Sequence, residues 1–348
     1  MLAGLMPFAI ALTTTLVVTM PVRRFALQFG IVDQPNQRKI HQVPMPLLGG
    51  VAIYCGTVLA IISSLDGQPR AQIFGILAGA TLLLVTGILD DRGLLHNQIK
   101  LFVAMPLAAA TLVVLGIRFR AFEQLLPGGL GSIADIAFTM FWAVGVTAAF
   151  SILDHMDGLV SGVAAVASFF FGALAFMNGQ VFVGTLAAAV FGGALGFLRW
   201  NFKPAKIFMG DGGAMFLGFM LSTLGLKLRL AHMQATEAWI IPVLVLAIPI
   251  FDTTLVTISR SRRGLIPFAS PGKDHTAHRL ANLRLGQRGA VLVVYTVGGL
   301  FGVVALVVSR SSLQSPLVFV TVLVFNALAA VAALERTPYQ RQEPGKGN

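Results

Sequence analysis

The sequence predicts an all-α, polytopic integral membrane protein with about eleven transmembrane helices. Three observations predict it. Of 348 residues, 56% are hydrophobic and only 11% are charged, which leaves too little polar surface to cover a soluble core of this size. Apolar stretches of about 18–20 residues recur, each long enough as a helix to cross a hydrocarbon layer of roughly 30 Å. The basic residues also sort by side. When successive loops are assigned alternately to the two faces, 19 of the 25 Lys and Arg fall on one face and 6 on the other. Cytoplasmic loops collect Lys and Arg, so the basic face is cytoplasmic, the N-terminus outside and the C-terminus cytoplasmic.

In order, the stretches are 2–20, 46–65, 72–89, 101–117, 135–153, 158–177, 180–198, 213–230, 238–257, 289–308 and 316–334. The first has no basic residue before its apolar core and is followed by Arg23 and Arg24. That is the reverse of a secretory signal, so it reads as a retained helix. The second begins as the turn-rich loop 33–50 ends and contains Cys55, the single cysteine. One thiol excludes an intramolecular disulfide and a cysteine metal cluster. The third closes on Asp90-Asp91, and the fourth follows Lys100. Only Asp154-His155-Met156-Asp157 parts the fifth from the sixth, and only Asn178-Gly179 parts the sixth from the seventh. The eighth opens at Gly210-Asp211-Gly212-Gly213, and the ninth holds Asp252 among nearby prolines. The last two lead to a polar tail. The organisation is a single membrane domain, 1–335, with a flexible cytoplasmic tail, 336–348. The net charge of +11 follows from the basic loops, and nucleic acid is not an expected partner.

An ionisable group at membrane depth is expensive, and so needs a reason. Asp90, Asp91, Asp154, Asp157 and Asp211 all close or open apolar stretches on the basic face. The loops there also carry Arg38, Lys39, His41, Lys100, Lys206, Lys273, His275, His278 and Arg279. Carboxylates beside many cations are the composition of a Mg²⁺-assisted phosphoryl site: Mg²⁺ takes oxygen ligands, and cations clamp phosphate oxygens. Glycines ahead of a helix N-terminus allow an anion close to its N–H groups.

Each residue has a plainer alternative. Asp90 and Asp91 at a helix C-terminus oppose the macrodipole, which argues against a purely structural role. They point roughly 100° apart, so one of the two reaches a given metal. Asp154 and Asp157 share a face if helical, or are solvated loop residues. Asp211 caps its helix, which is compatible with metal binding. Asp252 is either functional or a buried hydrogen-bonding group. Arg38, Lys39 and His41 are phosphate contacts or positive-inside charges, and Trp200 and Phe202 are interface aromatics. Transition-metal sites fit less well, because only His275 and His278 have ligand-like spacing. A cation-coupled transporter would carry its carboxylates near mid-bilayer on broken helices, whereas these gather at one interface.

The stretch Trp200-Asn-Phe-Lys-Pro-Ala-Lys-Ile-Phe-Met-Gly-Asp211-Gly-Gly-Ala-Met-Phe-Leu-Gly218 resembles the signature of the polyprenyl-phosphate N-acetylhexosamine-1-phosphate transferases. Four further blocks resemble that family in order: loop 33–50, Asp90-Asp91-Arg92 with Lys100, Asp154 to Leu159, and Asp252 with His275 to Leu280. The family's members initiate peptidoglycan lipid, O-antigen, enterobacterial common antigen and teichoic acid linkage. The resemblance implies that the phosphate of undecaprenyl phosphate attacks the sugar-proximal phosphorus of a UDP-N-acetylhexosamine, with UDP-N-acetylglucosamine the expected donor. UMP leaves, and the site lies on the cytoplasmic face of the bacterial inner membrane. It implies Mg²⁺ as cofactor, with Mn²⁺ as a substitute, held by Asp211 and Asp91. Asp90, Asp91, Asp154 and Asp157 are then catalytic, and the cations named above bind substrate. Expected partners are the lipid phosphate, the UDP-amino sugar and membrane lipid, and a homodimer is the assembly considered. The chain departs from the family pattern at Ser151 (usually Asn), His155 (usually Gly), Ala214 (usually Ser) and Ala277 (a histidine in the O-antigen initiators). A non-catalytic relative that binds polyprenyl phosphate or scaffolds a glycan-assembly complex is the alternative these departures raise.

Overall fold

A computed structural model describes residues 2–34, 43–95, 97–231, 233–266, 272–311 and 316–337. Arg38, Lys39, His41 and the tail from 338 lie outside them. In lipid every backbone polar group must be satisfied internally, and each apolar stretch accordingly forms helix. The helices are α1 (Leu2–Gln28), α2 (Gly49–Ile62), α3 (Arg70–Asp91), α4 (Asn97–Ile99), α5 (Met105–Val114), α6 (Leu130–Leu153), α7 (Leu159–Met177), α8 (Val181–Asn201), α9 (Gly210–Lys227), α10 (Ala235–Ala238), α11 (Ile240–Val245), α12 (Ala247–Ser261), α13 (Thr276–Leu280), α14 (Gly286–Val308) and α15 (Pro316–Glu335). A small antiparallel ribbon, β1 (Val32–Asp33) with β2 (Met45–Pro46), joins α1 to α2.

Among the described residues, six helices are long and apolar enough to cross a membrane, and seven if the bent pair α10–α11 and α12 is one span. Gly49–Ile62, Lys100–Val114 and Phe319–Glu335 are shorter apolar helices. The structure therefore supports a multi-pass helical protein, with fewer full-length spans than eleven straight ones. The stretch at 46–65 yields only a 14-residue helix: Pro46 belongs to the ribbon and the helix stops at Ile62. The stretch at 238–257 is not one helix: it turns by 81° at Leu246. Pro249 explains the break, since it removes the N–H that would bond to Val245 and its ring clashes with that carbonyl.

The centre of the molecule is α9. Every residue of it is buried except Asp211 at one end and Lys227 at the other. Helices α2, α3, α6, α7 and α8 pack around it. A helix that is apolar all round belongs in a core, and here that core delivers Asp211 to one end of the bundle.

Candidate active site

Gly210 starts α9 with φ +71°, and a Cβ there would stand 2.2 Å from Asp91 Oδ2. Glycine alone lets the end of α3 come so close. One turn back along α3, a Cβ on Gly87 would lie 2.2 Å from the Gly212 nitrogen, so the two backbones touch. This contact resolves the electrostatic puzzle of an acidic pair at a helix C-terminus. Asp91 faces the N-terminus of a different helix, where Asp211 N–H donates to its Oδ1 at 3.1 Å and the dipole favours an anion. Asp90, pointing elsewhere, accepts from Lys100 Nζ at 2.7 Å. Lys100 also reaches Asp211 Oδ2 at 2.5 Å. It begins a π-helical turn, Lys100–Ala104, a local widening common at functional sites. Ser151, near the end of α6, donates its hydroxyl to Asp211 Oδ1 at 2.8 Å. Ser151, a departure from the family pattern, thus holds the central carboxylate with its hydroxyl.

Asp154 ends α6 and is open to solvent. The surrounding atoms strip water from its carboxyl and so raise it well above the usual range, and the charges of Asp211, Asp91 and Asp157 add to the effect. Asp157 accepts the Ala205 amide at 3.1 Å, so it anchors the loop before α9. Lys206, in that loop, is exposed and lies over the Trp200 ring at 5.3 Å.

His155 leads from the aspartates to a second group. Its ring packs against His275 and His278, with centroids 4.0 and 4.7 Å away. Burial first, and then the two neighbouring imidazoles, hold it well below the ordinary histidine range, so it is neutral. Asp252 is buried and receives His275 Nδ1 at 2.8 Å and the Thr276 amide at 2.7 Å. Lys273 is half-buried beside His278. Asp274, which sequence reading missed, binds Arg260 at 2.8 and 3.0 Å and Arg263 at 2.5 Å. Burial alone would raise its carboxyl, but the Arg260 guanidinium and then Arg263 bring it down to about 2. The signal for it was one acid beside an Arg-rich loop.

Arg279 corrects the sequence expectation. It is fully buried and donates to the Asp274 carbonyl at 2.7 Å, Ser259 Oγ at 3.0 Å, the Leu334 carbonyl at 2.8 Å and Glu335 at 2.7 Å. Those contacts tie α12, α13 and α15 together instead of presenting the guanidinium to a ligand. Ala277 is buried in the hydrophobic core.

An apolar groove of about 1020 Å³ adjoins the charged cluster. Phe119, Phe122, Phe138, Trp142 and Trp239 form part of its wall, and Pro249 and Ile250 on α12, just past the bend, form another. Leu101 and Phe102 follow Lys100 directly, Ala148 lies one turn before Ser151, and Thr253 follows Asp252, so the lining is continuous with the site along three segments. Phe102 and Phe141 on its rim are each 71% exposed. The arrangement can hold polyanionic groups against carboxylates, an ammonium and imidazoles, with an apolar chain alongside.

Residues 73–229 match the family described as glycosyl transferase family 4. The chain is 34% identical to a probable undecaprenyl-phosphate N-acetylglucosaminyl 1-phosphate transferase of Bacillus subtilis, over 94% of this chain and 91% of that protein. It is 30% identical to a decaprenyl-phosphate N-acetylglucosaminephosphotransferase of Mycolicibacterium smegmatis, over 93% and 87% of the two. To the undecaprenyl-phosphate alpha-N-acetylglucosaminyl 1-phosphate transferase of Escherichia coli it is 28% identical, over 83% and 79%.

Proposed function

Since the chain belongs to glycosyl transferase family 4, we propose that it transfers N-acetylglucosamine 1-phosphate from a UDP-sugar to undecaprenyl phosphate. It is a sugar-phosphate transferase, and its product is the lipid-linked diphosphate sugar with which a cell-envelope polysaccharide begins. A lipid phosphate oxygen bonds to the sugar-proximal phosphorus of the donor. The bond from that phosphorus to the bridging oxygen breaks, and UMP departs with the electron pair. One diphosphate replaces another, so no separate energy source is needed.

The observation that carries the reading is the placement of Asp90, Asp91 and Asp211 around Lys100, where an apolar groove opens. The groove suits a polyprenyl chain. Asp90, held by Lys100, positions or deprotonates the lipid phosphate, and Lys100 offsets charge on the diphosphate. Lys273 and His278 clamp phosphate oxygens from the opposite side, and His275, held by Asp252 and approached by Arg260, supports the loop that carries them. Asp154 orients the donor, and Asp157 holds the loop that carries Lys206. Ser151 keeps Asp211 in place, which favours an active enzyme over a non-catalytic relative.

The residues fit a Mg²⁺ ion. Lys100 joins Asp90 to Asp211, Asp91 accepts the Asp211 amide, and Asp154 lies near enough to feel the charges of Asp211 and Asp91, an all-oxygen donor set with negative charge left over. Asp211 and Asp91 would hold it. When bound, Mg²⁺ supplies charge neutralisation and polarisation of phosphate oxygens.

The topology that goes with this reading has all eleven apolar segments in the bilayer, the N-terminus outside and the C-terminus in the cytoplasm. The basic loops support it, since Lys and Arg gather on cytoplasmic loops and UDP-sugars are cytoplasmic. The test is UMP release by the purified chain with Mg²⁺, undecaprenyl phosphate and UDP-N-acetylglucosamine. Asp211→Ala abolishes release; an undiminished rate in that variant would overturn the site assignment.

A further inference from the structure

His155, Asp252 and His275 come from three separate places: the link between α6 and α7, the middle of α12, and the residue preceding α13. One donor atom from each lies within 4.8 Å of the other two. His155 is the member without an explanation. Both its ring nitrogens are shut off from solvent, and neither has a hydrogen-bond partner among the described residues. A neutral imidazole has one N–H to give and one lone pair to fill. Leaving both unmatched in the interior is costly, and such an orphan calls for a bound ion or another partner. Its neighbours do not provide one, because His275 and His278 meet it ring against ring.

We propose that His155, His275 and Asp252 form a binding site for a divalent cation of the Zn²⁺ and Co²⁺ class, separate from the aspartate cluster around Asp211. Two imidazole nitrogens and one carboxylate oxygen are a ligand set that Zn²⁺ uses, with a fourth position open. Mg²⁺, by contrast, takes oxygen ligands. Ligand atoms on a tetrahedral Zn²⁺ lie about 3.4 Å apart, so the group closes on the ion through small side-chain rotations. The carboxylate is already fixed for the task, since Asp252 Oδ1 accepts the Thr276 amide at 2.7 Å. A second oxygen thus meets His275 Nδ1, at 2.8 Å, and an arriving cation replaces the proton they share. Arg260 approaches His275 Nε2 at 3.4 Å, but Asp274 accepts from its guanidinium at 2.8 and 3.0 Å. Its positive charge is therefore answered locally.

The experiment is metal titration of the full chain in detergent after stripping with a chelator. Zn²⁺ content is measured by elemental analysis, and Co²⁺ is followed by the visible bands of tetrahedral coordination. The expected result is one ion per chain for the parent and for Asp211→Asn, and loss of that ion in His155→Gly and in His275→Gln. Thermal melting establishes that each variant is folded. No ion above the stripped control overturns the proposal, as does full stoichiometry in folded His155→Gly. Loss in Asp211→Asn with retention in His155→Gly also overturns it, by assigning the ion to the aspartates.

Discussion

Replacing Gly210 with alanine puts a methyl carbon 2.2 Å from Asp91 Oδ2. Non-bonded carbon and oxygen atoms need a little over 3 Å, so the carboxylate must retreat by about 1 Å. That movement breaks the 3.1 Å bond from Asp211 N–H to Asp91, a charge-assisted contact of about 1.5–3 kcal/mol. The φ of +71° adds a backbone penalty of roughly 1–2 kcal/mol for a residue with a Cβ. The two costs separate experimentally. Gly264 has φ +70° and nothing within 4 Å of a Cβ, so Gly264→Ala carries the backbone penalty without moving a carboxylate. A 1 Å misplacement of a reacting group costs about 100-fold in rate. Steady-state UMP release by Gly210→Ala should therefore fall about 100-fold, while Gly264→Ala stays within about twofold of the parent. Melting temperatures should drop in both. A Gly210→Ala enzyme that keeps its rate, or a Gly264→Ala enzyme that loses as much, would refute the claim that this contact sets the site.

Gly145 lines the apolar groove with open space around a Cβ, so Gly145→Trp fills the groove without backbone strain. KM for undecaprenyl phosphate should rise about tenfold, equivalent to about 1.4 kcal/mol, while a short, soluble prenyl phosphate is used as before; equal losses on both acceptors would count against the groove. Asp154 has a raised carboxyl pKa, so its ionised form is disfavoured in the folded protein and stability declines as pH rises from the unfolded value through the folded one. Asp154→Asn should melt higher than the parent at neutral pH, with the gain vanishing near pH 4, and should lose transferase activity; a variant no more stable at neutral pH than the parent would remove the electrostatic account. Arg279→Gln breaks a fully buried network, and should destabilise the protein by about 3–5 kcal/mol while the folded fraction keeps its KM for the UDP-sugar. Unchanged melting with a raised KM would return Arg279 to the substrate.

What was legible in the sequence was what costs most to hide. Asp90, Asp91 and Asp211 stood out because carboxylates at the ends of lipid-length segments need a purpose, and the structure joins all three through Lys100 and one backbone amide. The eleven apolar segments were legible as helix for the same reason, yet hydropathy says nothing about direction. The 81° turn at Leu246 depends on one missing N–H at Pro249, a signal present in the sequence but read as part of a straight span. Composition cannot distinguish a guanidinium facing a ligand from one buried against Glu335, 56 positions away, where the structure puts Arg279. Ser151 was noticed for what it lacks, whereas its hydroxyl lies 2.8 Å from Asp211. His155, Asp252 and His275 carry no ligand spacing at all, since only tertiary packing brings them within 4.8 Å.

The bend between α11 and α12 leaves the groove with exposed Phe102 and Phe141 on its rim, which makes its opening sideways, toward acyl chains. An acceptor lipid then arrives by lateral diffusion and never has to leave the bilayer, and its heavier product returns the same way. The encounter is two-dimensional. Turnover should follow the mole fraction of acceptor among surrounding lipids instead of its concentration per volume of buffer. Enlarging the vesicle with inert phospholipid would slow the enzyme, whereas diluting the whole suspension would not.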